Sequence, residues 1–223
     1  MKMKYKILNL YACLGGNRYK WDEVAKKAGI EIEVIAIELD PEAARLYKER
    51  FPNDIVIVAD AHQYLLAHYK EFDFIWSSPP CPSHTRINIS QKTRSNWNPK
   101  YPSMILYEEI IFLQNFYSGK YCIENVIPYY EPLIQAKKRH RHLYWTNFNL
   151  PNILSKRNGN GLIENGTISD LSKFHEYDFR KYKGKQSVTK MGRNLVDFEA
   201  GKTILERALS IQKENDIRQQ LLF

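Results

Sequence analysis

Four kinds of residue in this chain stand where chemistry is possible. Cys81 closes the string Ser77-Ser78-Pro79-Pro80-Cys81, a proline-bound polar turn in which no core position is expected. A lone cysteine is usually a small buried hydrophobe, the reading kept for Cys13 and Cys122, whereas a thiol in such a turn is a candidate nucleophile. Glu124-Asn125 ends an apolar run and offers a carboxyl for proton transfer. Tyr11-Ala12-Cys13-Leu14-Gly15-Gly16 is a turn before a helix, where glycines let backbone approach a ligand and free helix N–H groups face it. Glu38, in Glu38-Leu39-Asp40, puts an acid where ribose hydroxyls are held, and Asp60 follows a further apolar run. Each piece alone has a plainer explanation. A glycine pair is often only a turn, the dinucleotide fingerprint GxGxxG is absent, and Glu38 and Asp60 both suit the start of a helix.

These residues gain weight from the elements that carry them. Apolar runs at Ile7–Tyr11, Glu33–Ile37, Ile55–Val58, Phe72–Trp76, Tyr121–Ile123 and Leu143–Trp145 read as strands. Between them, Lys20–Ala28, Pro41–Arg50, Ala61–Lys70, Ser103–Phe116 and Tyr129–Ala136 read as helices, with Pro41 and Ser103 fitting helix starts. Strand and helix in alternation predict βαβ units and a mostly parallel sheet, an α/β fold of Rossmann type. Ligands of such sheets bind outside the carboxyl ends of the strands. Five consecutive strands deliver polar or reactive groups to that one edge, and this repetition is the strongest signal in the sequence.

Two segments break the rhythm. Pro82–Pro102 is a polar loop holding Arg86, Lys92, Arg94 and Lys100, of a length that is usually functional. Thr146–Lys190 shows little helical periodicity, has turn pairs at Asn158-Gly159, Asn160-Gly161 and Asn165-Gly166, and carries eight cations, Lys156 and Lys190 among them. Val196–Ile211 then reads as a final amphipathic helix. The expected organisation is a main domain of residues 1–145 plus 191–223 with a small inserted region at 146–190.

Composition bounds the partners. The 223 residues are 43% hydrophobic and 13% aromatic, enough for a real core, which excludes a disordered or fibrous chain. Thirty-three Lys and Arg against 25 Asp and Glu leave +8, a surplus that favours a polyanionic partner. Three scattered cysteines without a CxxC pair indicate neither a metal site nor a disulfide framework, as in a reduced, cytoplasmic protein. No apolar stretch approaches the roughly 18 residues of a membrane span. Lys2, Lys4 and Lys6 before Ile7–Cys13 are loosely like a lipoprotein signal, but the apolar run is short and Asn9 interrupts it.

The ordered series from Asn9 to about Trp145 resembles the cytosine carbon-5 DNA methyltransferases, in particular compact, phage-type members. Pro80-Cys81 resembles the family's nucleophile motif and Glu124-Asn125-Val126 its Glu-Asn-Val motif. The resemblance implies an S-adenosylmethionine-dependent enzyme of Rossmann-like fold that adds the Cys81 thiolate to carbon 6 of a flipped-out cytosine. Glu124 would meet ring nitrogen 3 and the exocyclic amine, and needs a raised pKa to donate a proton there. Cofactor contacts are implied at Tyr11, Ala12, Cys13, Leu14, Gly15 and Gly16, at Glu38 for the ribose, at Leu39, Asp60 and Ala61 for the adenine, and at Pro80. Asn194-Leu195-Val196 faintly resembles the C-terminal Asn-x-Val element, which adds Asn194 and Val196.

Arg139-His140-Arg141-His142-Leu143-Tyr144 resembles the Arg-x-Arg strand, so Arg139 and Arg141 are expected at the catalytic centre. Ser83, Arg86, Asn125 and Val126 are expected substrate contacts, and Thr146–Lys190 stands where the family inserts its target-recognition region. The implied partner is double-stranded DNA, bound by a monomer without metal or membrane, in a bacterial or phage-infected cell and serving restriction-modification or phage self-protection. Three departures stand out: Cys13 replaces a common glycine, Pro82 a common glutamine, and an extra histidine blurs the register of the two arginines. Rival readings are an exocyclic-amine methyltransferase, suggested by Ser78-Pro79-Pro80, an RNA cytosine methyltransferase, and a non-catalytic nucleic-acid-binding module.

Overall fold

Alternation of apolar side chains sends each strand's residues to two opposite layers. In the computed structural model, which describes residues 4–90, 92–93, 96–98, 100–157 and 165–210, strand β1 (Lys4–Leu10) lies at the centre. It pairs in parallel with β2 (Glu31–Glu38) on one side and β4 (Phe74–Ser77) on the other. With β3 (Ile55–Val58), β5 (Lys120–Val126), β6 (Lys137–Arg139) and β7 (His142–Thr146), the sheet order is β3-β2-β1-β4-β5-β7-β6. Only β7 runs antiparallel to its neighbours. The expected mostly parallel Rossmann-like sheet is therefore the observed one, and its chain reversal falls beside β1.

Helices cover both faces. Leu8, Leu10, Ile75 and Ile123 pack with Leu65 of α3 (Ala61–His68) and with Leu106, Ile110 and Leu113 of α5 (Ile105–Phe116). On the other face, Ile7, Phe74, Trp76 and Cys122 pack with Trp21 and Val24 of α1 (Trp21–Ala28) and with Ile204 and Leu205 of α8 (Phe198–Ala208). Full burial of such side chains stabilises by roughly 1.5–3 kcal/mol each before the entropy of ordering is subtracted. Helix α2 (Pro41–Arg50) starts at Pro41 as expected, and the Asp40 side chain caps it by accepting from Glu42 N at 3.0 Å. Among the described residues no helix is long and apolar enough to cross a membrane.

Several sequence expectations are corrected. Tyr129–Ala136 forms no helix, because Pro128 and Pro132 interrupt it and its backbone is engaged elsewhere. Tyr129 N donates to His84 O at 3.0 Å and Leu133 N to the Tyr107 hydroxyl at 3.3 Å. The chain after Ala136, Lys137–Arg139, is a strand. Ser103 does not cap α5; the helix begins two residues later, and Ser103 N donates to Ser83 Oγ at 3.0 Å. The loop after Cys81 contains a one-turn helix, α4 (Ile87–Ser90).

Thr146–Lys190 is more ordered than its composition suggests. It holds α6 (Ile168–His175), opened by a capping box between Thr167 and Asp170, and leads into α7 (Val188–Asn194), capped by Ser187. Leu171, Phe179, Tyr182 and Met191 join Leu14, Ala43 and Leu46 in one apolar cluster, so this segment packs against α2 and the loop after β1. The pairs at Asn158-Gly159 and Asn160-Gly161, Arg94, and the expected helix end at Ile211 lie outside the described residues.

Helix α8 fixes the site from behind. A Cβ on Gly201 would stand 2.6 Å from the Asn17 Cα, and Trp21 Nε1 donates to Gly201 O at 3.3 Å. Gly201→Ala is therefore expected to force the two backbones apart and lower the stability to urea by about 1–3 kcal/mol, with little change in far-UV circular dichroism.

Candidate active site

Three residues in the turn after β1 take left-handed backbone: Tyr11 (φ 55°), Cys13 (φ 47°) and Gly15 (φ 69°). For Tyr11 and Cys13 this conformation costs free energy that surrounding contacts must offset. At Cys13 the contact is visible, since its N–H donates to Glu38 Oε2 at 2.8 Å. The other oxygen of Glu38 accepts from Asp40 N at 2.9 Å. Burial pushes the Glu38 carboxyl above the usual range, against the pull of these N–H groups. Cys13 thus keeps a glycine-like conformation although it replaces a glycine, and burial followed by the Glu38 charge pushes its thiol up to about 12. That reading as an inert cysteine agrees with the sequence expectation.

Two glycines in the turn are required by packing. A Cβ at Gly15 would lie 2.8 Å from the Tyr47 ring, and one at Gly16 2.6 Å from Leu195 Cγ. The second contact brings Leu195-Val196 onto the turn, as the faint Asn-x-Val match implies, while Asn194 is exposed. Leu39 shows 67% of its surface at the same edge. Asp60 caps α3, accepting from Gln63 N at 2.9 Å, and Ala61 is buried behind it.

The turn after β4 is tied to β5. Asn125, 2% exposed, donates from Nδ2 to Pro79 O at 2.9 Å and accepts Val126 N at 2.9 Å. Its amide is therefore turned inward and holds the Ser78–Cys81 turn. Cys81 O accepts from His84 N at 2.9 Å and Thr85 N at 3.1 Å, fixing the next turn. The register Ser77↔Ile123 places Glu124 one residue beyond β4's last residue. Glu124 is 7% exposed, and its charge acts on the Cys81 thiol. Burial raises the Cys81 thiol first and the Glu124 charge raises it further, while Lys190 of α7 pulls the other way.

The two arginines separate. Arg139 directs its guanidinium to the carbonyls of Lys138, Leu150 and Pro151, at the sheet's far edge. The expectation that it reaches the catalytic centre is corrected: the register Arg139↔His142 leaves it on the same sheet face as His142, but one strand further out, where the carbonyls of Leu150 and Pro151 hold its guanidinium. Arg141 sits in the tight turn between β6 and β7. The residue that meets the acid is His142, whose Nε2 is 3.5 Å from Glu124 Oε1. Sequence reasoning missed it because two alternating Arg-His pairs leave the register undecided; the register comes from β5 pairing Val126↔His142. Ser83 holds the base of the following loop, and Arg86 is exposed with its Nε 3.4 Å from Pro128 O. In the inserted segment, Arg157 pairs with Asp197, Arg180 with Asp178 and Lys181 with Glu49, so part of its positive charge serves the fold.

Comparison with known proteins decides the family. The sequence model of the C-5 cytosine-specific DNA methylases matches residues 5–127, more than half of the chain. The chain belongs to this family. Over 87 residues, 38% of this chain and 25% of the other, it is 32% identical to a tRNA (cytosine(38)-C(5))-methyltransferase of Spodoptera frugiperda. It thus spans about a quarter of the length of that relative. Among solved structures, EhMeth of Entamoeba histolytica shares the fold with a TM-score of 0.58 over 96% of this chain and 100% of that one, at 11% identity. A Spodoptera frugiperda DNMT2 structure is 26% identical, with a TM-score of 0.37 over 55% of this chain and 36% of that one. The family's cofactor is S-adenosylmethionine, and the donor set at the sheet edge fits it: a held carboxylate at Glu38, an exposed apolar side chain at Leu39 and an acid at Asp60.

Because burial and Glu124 both raise the Cys81 thiol, its alkylation by iodoacetamide, followed by peptide mass spectrometry, is expected to have a midpoint above the ordinary cysteine value of about 8.5. Lys190→Gln removes the opposing cation and is expected to shift that midpoint to still higher pH. An unchanged or lower midpoint would remove Lys190 from the site.

Proposed function

We propose that the protein methylates carbon 5 of cytosine in DNA, with Cys81 as the covalent nucleophile and Glu124 as the acid. What supports the reading most is the placement of Cys81 and Glu124 at the ends of adjacent parallel strands, bridged by the Asn125–Pro79 hydrogen bond. Carbon 5 of cytosine is a weak nucleophile because the ring is electron-poor. The Cys81 thiolate adds to carbon 6 while Glu124 gives a proton to nitrogen 3, and the electron pair of the carbon 5–carbon 6 double bond becomes available at carbon 5. S-adenosylmethionine supplies an electrophilic methyl group when bound. Loss of the carbon 5 proton to a base then restores the double bond, the sulfur–carbon 6 bond breaks, and Glu124 recovers its proton from nitrogen 3.

The electrostatics suit that order. An anionic Glu124 holds the Cys81 thiol up, so protonation or engagement of Glu124 by the base removes one of the two causes that keep the thiol neutral. Bound at the switch point, S-adenosylmethionine would meet Glu38 at its ribose and Leu39, Asp60 and Ala61 at its adenine, and Pro80 and the Tyr11–Gly16 turn would complete the pocket. Asn194 and Val196 close that side. Lys190 is the cation that acts on the Cys81 thiol, and Arg86 lies on the loop that follows Cys81. A cleft of about 570 Å³ lined by Arg86, Ile89, Tyr129 and Tyr130 borders the same loops and offers cation and ring surfaces to a nucleic acid. A target base must leave its stack to reach Cys81.

RNA is a second reading, favoured by the stretch of identity to a tRNA cytosine methyltransferase. Both polymers are tested together. Incubation with S-adenosylmethionine and an oligonucleotide containing 5-fluorocytosine, which blocks proton loss from carbon 5, is expected to trap a covalent complex on a denaturing gel with DNA. Cys81→Ser is expected to abolish it; a complex that survives this change refutes the nucleophile. Trapping with RNA alone transfers the activity to RNA. Glu124→Gln is expected to reduce turnover by at least roughly 100-fold while cofactor binding is kept, within the usual contribution of a general acid. Equal weakening of both would instead make Glu124 structural.

A further inference from the structure

Helix α5 presents an apolar face to the sheet through Leu106, Tyr107, Ile110 and Leu113, yet its central inward residue is Glu109, 0% exposed. An apolar residue would serve packing there better, because an ionised carboxylate out of water is costly unless donors surround it. Three side chains converge on this one. Tyr11 donates its hydroxyl to Glu109 Oε1 at 2.7 Å, Ser77 donates to Oε2 at 2.5 Å, and His62 Nδ1 lies 3.2 Å from Oε1. These partners come from three different strand ends: the turn after β1, the last residue of β4, and the start of the helix after β3. Tyr11 is the residue held in left-handed backbone, and the ladder Leu10↔Ser77 sets it beside β4. Ser77 opens the Ser78-Pro79-Pro80-Cys81 turn.

We infer that Glu109 is a positioning residue that locks the Tyr11 wall of the cofactor pocket to Ser77, the last residue of the strand that leads into the Cys81 turn, so that cofactor and nucleophile are held in one frame. The inference rests on the cofactor reading of the Tyr11–Gly16 turn and is independent of the covalent step. Paired donors on one buried carboxylate give directional stiffness that apolar contacts lack. Burial and the Glu109 charge keep the Tyr11 phenol protonated, hence a donor. The hydrogen bond to Glu109 raises the His62 imidazole, with Glu108 and Asp60 adding to it and burial opposing it. The charged form of His62, and its attraction to Glu109, is therefore complete below the ordinary imidazole range and lost as pH rises through the raised value.

The test is calorimetric binding of S-adenosylmethionine to the full chain, which needs no turnover. Tyr11→Phe, which deletes only the hydroxyl, is expected to raise the dissociation constant roughly 5- to 20-fold. Glu109→Gln is expected to raise it at least as much, and the double variant no further than Glu109→Gln alone, because the two act through one bond. In the unaltered protein the affinity is expected to fall as pH rises past the His62 transition, and His62→Gln to flatten that profile. Should Glu109→Gln fail to fold, Tyr11→Phe and Ser77→Ala, each lacking one oxygen, carry the comparison. Unchanged affinity in Tyr11→Phe, or strictly additive losses in the double variant, overturns the inference whatever happens to thermal stability. Absence of binding in the unaltered protein overturns it together with the cofactor reading, whereas intact binding without a trapped adduct counts only against Cys81 chemistry.

Discussion

The parallel ladder between β4 and β5 limits how near a thiol and a carboxyl can come. Ser77 stands opposite Ile123, so the chain leaving β4 and the last residues of β5 emerge side by side. Neither Cys81 nor Glu124 has freedom to choose a partner. The Asn125 amide completes the constraint by gripping Pro79 O, so that the proline turn and the acid-bearing strand move together. The turn after β1 is set against the same frame by the β1–β4 pairing, and Glu38 fixes its far side through Cys13 N–H. The protein thus places its reactive groups by backbone register and a few buried polar bonds.

Much of this was legible in the residues. Ile55–Val58 was placed to the residue from its β-branched run, and the expected Phe72–Trp76 overlaps β4, Phe74–Ser77, whose four residues are all buried. Pro41 and Asp40 announced α2 through chemistry local to the helix start. Glu38, Asp60, Cys81 and Glu124 were singled out because each lies at or near the carboxyl end of a strand, and those ends converge in a parallel sheet.

What escaped the sequence depends on contacts distant along the chain. Tyr129–Ala136 carries residues compatible with a helix, but its N–H groups find carbonyl and hydroxyl partners on His84 and Tyr107. That His142 rather than Arg139 meets Glu124 escaped the sequence because antiparallel register is set by pairing, which alternating Arg and His cannot specify. Glu109 carried one faint signal, a Glu108-Glu109 pair inside an otherwise apolar helix, where one of two neighbours must face inward. The order in the segment after Thr146 was signalled only by Thr167 and Asp170, a capping pair hidden among turn-forming residues.

The raised thiol of Cys81 has a consequence beyond catalysis. Peroxide and other oxidants attack sulfur in its anionic form, and the path through sulfenic to sulfonic acid ends in irreversible damage. Burial, with the negative charge of Glu124 behind it, keeps this sulfur protonated in the resting protein. The carboxylate of Glu124 therefore adds to burial in holding this sulfur in the form that oxidants attack least.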